Sequence, residues 1–337
     1  MEKVLITGAS GYIALHCIAE CLKSGYLVKA SLRNMDREDE VRQAIRKGID
    51  DNNLEICKLD LLDDEGWEDA AWDCDYLLHT ASPFITYEPK DENELIKPAK
   101  EGTLRALRAA NKAGIKKVVL TSSVAAVAYG HEKNIVTEND WTDTTQDVGA
   151  YTKSKTLAEK AAWDFIKSKE NNSMVMTTIH PGFVFGPLLS NDTKGASADL
   201  MMRIMTGKFP AIPAIYFTVV DVRDVAMLHV KALKNNESDG RRLLTTSGEG
   251  YHMKEISKIL NDDGFKKAPT SELPTLMLKL LAPFSSEMKS VLKNVKRGKY
   301  GADISLATKM FDWKPIPLEK TVTEMGASLA QILDIRK

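Results

Sequence analysis

Lys3-Val4-Leu5-Ile6-Thr7-Gly8-Ala9-Ser10-Gly11-Tyr12-Ile13-Ala14 is the stretch on which the reading of the chain turns. Lys3–Thr7 is a short apolar run that stops at a glycine-rich turn, as a buried parallel strand does. Ile13 to Lys23 then shows helical spacing, Gly25 ends it, and Leu27–Leu32 reads as a second strand. Strand, turn, helix and strand in this order make a βαβ unit. Gly8 permits the tight turn, Gly11 lets backbone N–H groups approach a pyrophosphate, and the small Ala14 lets helix and strand pack closely. A phosphate would sit at the positive end of that first helix. Glycine-spaced turns also occur as plain structural turns; the position between an N-terminal strand and a helix is what favours the dinucleotide reading.

Outward from this unit the alternation continues. Leu54–Lys58, Tyr76–His79, Lys117–Leu120 and Met174–His180 read as strands, with helical character at Asp39–Lys47, Leu95–Ala113 and Tyr151–Ser168. The pattern predicts an α/β fold of the Rossmann type, a doubly wound parallel sheet covered by helices on both faces. After Pro187 it loosens. Loops at Gly207–Pro213 and Ala282–Ser286 separate expected helices at Ala196–Thr206, Val222–Leu233, Met253–Leu260 and Leu318–Leu333, with a strand returning at Arg242–Thr246. The expected division is a dinucleotide-binding domain over 1–187, with returning elements from about 215–250, and a smaller, mainly substrate-binding lobe over 188–337.

Composition narrows the function. The 337 residues are 43% hydrophobic and 28% charged, with a formal net charge of −1, so no global field draws the chain to nucleic acid or anionic lipid. The opening MEKVLITGAS lacks the regions of a signal peptide, and no apolar run approaches the ~20 residues that span a bilayer, so a cytoplasmic location is expected. Cys17, Cys21, Cys57 and Cys74 form no CxxC pair, the six histidines are scattered, and no metal site is expected. Cys17 and Cys21 share a helix face as core filler. No Gx-Ser-xG elbow is present, which argues against a hydrolase.

Two further segments carry chemistry. The second strand ends Ser31-Leu32-Arg33-Asn34, with Arg37 following and no acid at the tip, where an NAD enzyme usually places one for the ribose hydroxyls. A guanidinium suits a 2′-phosphate, so NADPH is the expected cofactor, although Asp36, Glu38 and Asp39 lie close by. Tyr151-Thr-Lys-Ser-Lys155 opens a helix, and residues at i and i+4 share a face. Thr121-Ser122-Ser123 follows a strand at its carboxyl end, where parallel-sheet ligands sit. These groups suit carbonyl reduction, with Tyr151 as proton donor and Ser123 holding the oxygen. Bringing a tyrosine from ~10 to ~7 requires roughly 4 kcal/mol, and an ammonium ~4 Å away at an effective dielectric near ~20 supplies about that. Lys155 is therefore expected to lower Tyr151. Asp60, at the end of the third strand, reads either as a partner of the adenine amine or as a turn cap.

At this point the residues resemble the extended short-chain dehydrogenase/reductase superfamily, nearly end to end. The matching pieces are TGASGYIA at 7–14, HTASPF at 79–84, TSS at 121–123, YTKSK at 151–155, HPGFVFGP at 180–187 and VDVRDVAMLH at 220–229. Within it the chain is most similar to the dihydroflavonol reductase-like branch of plant flavonoid and cinnamoyl-CoA reductases and microbial aldehyde and ketone reductases. The resemblance implies Ser123, Tyr151 and Lys155 as the catalytic set, Lys155 also holding the nicotinamide ribose. It implies Thr7, Gly8, Gly11, Tyr12 and Ile13 at the pyrophosphate, Arg33 and Arg37 at the 2′-phosphate, and Asp60 and Leu61 at the adenine. Thr80, Ala81 and Ser82 would line the cofactor's middle, and Pro181 to Val184, including Gly182, would meet the nicotinamide amide. Phe84 and the residues after Ser123 would border the substrate, together with Ser123 and Tyr151.

Two departures refine this. Ala99 stands where nucleotide-sugar epimerases and dehydratases of the superfamily usually have Asn. Ala128 stands where flavonoid reductases look for an asparagine, which favours a less polar aldehyde or ketone. The expected activity is reduction of a small carbonyl by NADPH. The alternatives are an epimerase or dehydratase with retained NAD(P), and a non-catalytic NADPH-binding sensor, whose relatives typically lose the tyrosine or the lysine. Both monomer and homodimer are open, the helices Leu95–Ala113 and Tyr151–Ser168 being the place to seek an exposed apolar stripe.

Overall fold

A computed structural model describes residues 1–83, 89–281, 292, 295 and 298–335. The first half alternates as its hydrophobic pattern requires: β1 Lys3–Ile6, α1 Tyr12–Lys23, β2 Leu27–Leu32, α2 Glu38–Arg46, β3 Leu54–Lys58, a short α3 Trp67–Ala71, β4 Tyr76–His79, α4 Asn93–Ala113 and β5 Lys117–Thr121. Then come β6 Ile135–Val136, α5 Ala150–Lys167, β7 Val175–Pro181, β8 Phe183–Phe185, α6 Ala196–Met205, β9 Tyr216–Asp221 and α7 Val222–Lys234. The chain continues with β10 Arg242–Thr245, β11 Gly250–His252, α8 Met253–Asp262, α9 Thr275–Leu281, β12 Gly301–Ala302, α10 Ser305–Phe311 and α11 Leu318–Leu333.

Seven strands form one parallel sheet in the order β10-β7-β5-β4-β1-β2-β3. The order reverses at β1, so the crevice between the carboxyl ends of β1 and β4 is the topological switch point at which such sheets take ligands. The fold is the Rossmann-type α/β architecture expected. Central strands run without a polar break because both faces are covered: Val4, Leu5, Ile6, Val118 and Val119 are at most 1% exposed. Cys17 and Cys21 are fully buried on α1 among these apolar groups, and all four cysteines are free thiols.

A second sheet, β11-β9-β8, was not anticipated. β8 runs parallel to β9, and β11 is antiparallel to it, so the chain is not purely parallel. Phe183, Phe185 and Phe217 stack at its face, with ring centroids 4.8–5.1 Å apart. Behind it a separate apolar cluster unites Phe185, Met201, Ile256, Leu260, Val322 and Met325. α7 and β10 leave this cluster and return to the main sheet, with β10 pairing to β7. The expected loop at Ala282–Ser286 lies outside the described residues. Among the described residues no helix is long and apolar enough to cross a membrane, and no cluster of potential metal ligands occurs. Large apolar side chains in the exposed class, such as Trp72, Leu276 and Leu280, lie outside α4 and α5.

Candidate active site

A cleft of about 1960 Å³ runs across the switch point, bordered at one end by Arg33 and Asp60 and at the other by Tyr151, Phe217 and Tyr300. Its floor is the turn after β1. Thr7 is fully buried there, and its Oγ1 accepts the N–H groups of Thr80 (3.1 Å) and Ala81 (3.0 Å) while meeting His79 Nδ1 at 2.9 Å. The Thr80 hydroxyl donates back to the Thr7 carbonyl. This network fixes the β1 turn against the β4 turn. Gly8 adopts φ +76°, and a Cβ there would lie 3.1 Å from Ala81 Cα, so the position needs glycine on both counts. Gly8 N–H donates to Ser31 Oγ (3.2 Å), which ties the turn to β2. Gly11 caps α1 in an extended conformation and offers no side chain, leaving the first-turn N–H groups of Tyr12 and Ile13 without an intrahelical partner.

The α1 side chains do something the sequence did not reveal. Tyr12 Oη donates to the Gly186 carbonyl (2.7 Å), and His16, one turn on, meets the Pro187 carbonyl through Nε2 at 3.0 Å. Together they dock the glycine-turn helix onto the segment leaving β8. Burial pushes His16 down to about 4 and raises the Tyr12 hydroxyl.

At the β2 end, the two arginines differ. Arg33 is exposed on the cleft rim and forms no ion pair among the described residues. Arg37 is committed: it grips Glu40 through two 2.8 Å contacts, reaches Asp192 at 2.6 Å, and donates to Ser10 Oγ at 3.0 Å. Asp60 Oδ1 accepts from Leu62 N–H (2.9 Å), the turn-capping alternative, while Asp60 and Leu61 still border the cleft. Thr80, Ala81 and Ser82 line its middle. Gly182 and Val184 line it too, whereas Pro181 is buried in β7, in register with Thr245. Gly182 sits where β9 crosses closely: a Cβ would lie 2.1 Å from the Thr218 carbonyl oxygen. Thr218 Oγ1, also at the cleft, is buried without a hydrogen-bond partner in the chain. Phe84 lies outside the described residues.

Ser123 ends the β5 segment and caps a short 3-10 turn, its Oγ accepting from Ala125 N–H at 3.1 Å. Ser123 and Tyr151 share a side-chain hydrogen bond across the cleft wall. Burial pushes the Tyr151 hydroxyl above its ordinary value, and the Ser123 bond draws it partly back. The lowering expected from Lys155 is not among the forces acting on Tyr151. The Lys155 ammonium is instead turned to the Thr121 carbonyl (3.2 Å), and burial brings it down to about 8 against the opposing pull of Glu159. Lys155 lies behind the main cleft, lining a small internal cavity with Ala81, Ser82, Ser122 and Glu159. Ala128 is fully buried.

Glu159 was also missed, though Tyr151, Lys155 and Glu159 follow one another at i+4 along a single face of α5. It is 1% exposed and accepts from Ser122 Oγ (2.7 Å), His180 Nε2 (2.8 Å) and Arg242 Nε (2.7 Å); burial pushes its carboxyl up, but His180 and Arg242 together hold it far below the usual range.

A parallel sheet reversing at β1, with its cleft at that point and a hydrogen-bonded serine and tyrosine on the cleft wall, defines the architecture of the extended short-chain dehydrogenases/reductases. The chain belongs to the NAD dependent epimerase/dehydratase family, whose model matches residues 4–244. It is 36% identical over 268 residues to cinnamoyl-CoA reductase CAD2 of Medicago truncatula, covering 77% of this chain and 80% of that protein. It is 32% identical over 282 residues to the NADPH-dependent methylglyoxal reductase GRE2 of Saccharomyces cerevisiae, covering 77% and 82%. The crystal structure of yeast methylglyoxal/isovaleraldehyde reductase Gre2 complexed with NADPH aligns with a TM-score of 0.82 at 26% identity, over 98% of this chain and 99% of that one.

Proposed function

We propose that the protein reduces an aldehyde or ketone to the alcohol with NADPH. The observation that carries this reading is the Ser123–Tyr151 hydrogen bond at the wall of a cleft floored by the glycine turn. The residues present fit a dinucleotide. The uncapped start of α1, the partnerless Thr218 hydroxyl and the free Arg33 at the rim all offer donors to it. Thr7, Gly8, Gly11, Tyr12 and Ile13 would hold the pyrophosphate, Arg33 the 2′-phosphate, and Lys155 the nicotinamide ribose. Bound NADPH supplies a hydride equivalent.

The chain's own residues supply the rest. Ser123 Oγ would hold the substrate's carbonyl oxygen beside Tyr151 Oη, and Tyr151 would give that oxygen its proton, completing the alcohol. The upward push on Tyr151 suits this direction, because it keeps the hydroxyl protonated at neutral pH. Residues 188–337 would act mainly as the substrate lobe, a role supported by Leu188, Phe217 and Met325 on the cleft. These apolar groups favour an apolar carbonyl over a polyhydroxylated one.

The test is absorbance loss of NADPH, with NADH as control, over aromatic, aliphatic and β-keto carbonyls. Consumption with NADPH preferred supports the reductase. No net consumption, with conversion of a nucleotide sugar, would replace it by the epimerase reading.

A further inference from the structure

Three segments that carry site residues, α5, the end of β5 and β7, meet at one carboxylate. Glu159 lies one helical turn beyond Lys155 on α5. Its Oε2 takes the Ser122 hydroxyl at 2.7 Å, and Ser122 immediately precedes Ser123 at the end of β5. The same oxygen takes His180 Nε2 at 2.8 Å, on β7 two residues before Gly182. Oε1 takes Arg242 Nε of β10 at 2.7 Å, Trp163 Nε1 at 3.1 Å and Thr178 Oγ1 at 3.3 Å. A small internal cavity brings Lys155, Glu159, Ser122 and Ser82 together.

We propose that Glu159 is a positioning residue of the reaction: its buried carboxylate sets the spacing of the Ser123, Lys155 and Gly182 segments and keeps the Lys155 ammonium charged. The inference rests on the reductase reading for its kinetic consequence, but not for its electrostatic one. Solvent lends this carboxylate nothing, so its charge is felt locally at low dielectric. The groups facing Lys155 are Glu159 on α5, His79 at the end of β4 and the Thr121 carbonyl of β5. Those facing Glu159 are His180 from β7 and Arg242 from β10, the latter anchored by the carbonyls of Glu138 (2.8 Å) and Asp140 (2.6 Å) and by the Trp141 ring. Glu159 is thus the negative group that offsets the cost of burying Lys155, whose ammonium already titrates near 8.

The experiment is the pH profile of kcat/KM for the full chain and for Glu159→Gln. Removing the charge lets Lys155 lose its proton earlier, so the alkaline limb should move acidward by about one pH unit. Ser122→Ala leaves every charge in place; it should lower kcat with the limb unmoved and the KM for NADPH unchanged. If Glu159→Gln does not fold because Arg242 is stranded, Glu159→Gln/Arg242→Gln should move the limb in the same direction by a smaller amount, because a positive charge is lost with the negative one. A limb that coincides with wild type overturns the proposal, as does a Ser122→Ala enzyme with wild-type kcat. The Lys155 ¹³Cε NMR titration of the cofactor-free protein reads the same shift without turnover, so a chain that reduces no carbonyl still decides the point. In that case the reductase reading fails alone.

Discussion

Arg37 Nη2 and Asp192 Oδ2 lie 2.6 Å apart, although 155 positions separate them in the chain. The pair spans the cleft mouth, joining the segment after β2 to the segment after β8. Lys47 donates to the Leu189 carbonyl at 3.0 Å beside it. With Glu40 taking Nε and the same Nη2, Arg37 faces two carboxylates. Any 2′-phosphate would have to displace one of them or share the fork. Arg33 faces no such competition.

The two arginines should therefore behave differently. Arg33→Ala is expected to raise the KM for NADPH by roughly ten-fold or more, the worth of a hydrogen bond to a charged group, and to leave NADH little changed. Asp192→Asn frees Arg37 and should tighten NADPH by up to about five-fold, since partly exposed ion pairs are worth ~1 kcal/mol or less. Steady-state kinetics with both cofactors read this. Equal losses for both cofactors in Arg33→Ala would remove it from the phosphate site, and weaker NADPH binding in Asp192→Asn would make the pair a support.

Tyr151→Phe should reduce kcat by about 10² to 10⁴-fold, the range for a lost general acid, while NADPH binding measured by fluorescence titration stays near wild type. Ser123→Ala removes the group that draws the Tyr151 hydroxyl down, leaving burial unopposed. Its cost should fall in the range of a lost oxyanion donor, about 10² to 10³-fold. Turnover retained in Tyr151→Phe would exclude Tyr151 as the proton source.

What could be read in advance was local. β1, the glycine turn and α1 follow from period and spacing within about twenty residues, and the helix bearing Tyr151 and Lys155 was visible as i and i+4 on one face. What escaped depends on distant chain. Arg37 looks like a free phosphate grip until Asp192 folds onto it. Phe183–Phe185 is too short to announce a strand and becomes one only because β9 lies alongside. The Lys155 reading assumed a dielectric, and burial, a tertiary quantity, reversed the direction of the Tyr151 shift. Glu159 did carry a signal, the third i+4 step of that helix, but its weight comes from His180 and Arg242 on other strands.

Gly182→Ala tests the close approach of β9. The added Cβ meets a backbone oxygen at 2.1 Å, with no flexible side chain to yield, so the strand pairing must shift. Overpacking that moves backbone costs about 1–3 kcal/mol or more, which should appear as a fall of several degrees in Tm together with lost NADPH binding. Wild-type stability would mean that the β8–β9 crossing is looser than described.

Acid should unfold the protein through its buried histidines. His16 and His229 are brought down to about 4 and His79 to about 3, in each case chiefly by burial. His229 is held between Thr121 Oγ1 and the Val225 carbonyl, both at 2.7 Å, and His79 meets the Thr7 hydroxyl beneath the glycine turn. All three titrate near ~6.5 when unfolded. Below that value the unfolded chain binds more protons than the native one, so the stability is present above ~6.5 and is lost as pH falls toward the folded values. Three protons correspond to a slope of about 4 kcal/mol per pH unit near pH ~5, enough to consume a stability of ~5–15 kcal/mol before pH ~3. The depressed carboxyls of Glu159 and Asp221 add the same sign only at lower pH, while the raised Asp224 opposes it in part. Urea midpoints measured from pH 7 to 4.5 should fall steeply below 6, and His16→Gln should flatten the slope by about one proton's share. A flat profile across that window would show that these rings are already protonated in the folded protein, and with them the tie between Thr7 and His79 under the cofactor turn would have to be redrawn.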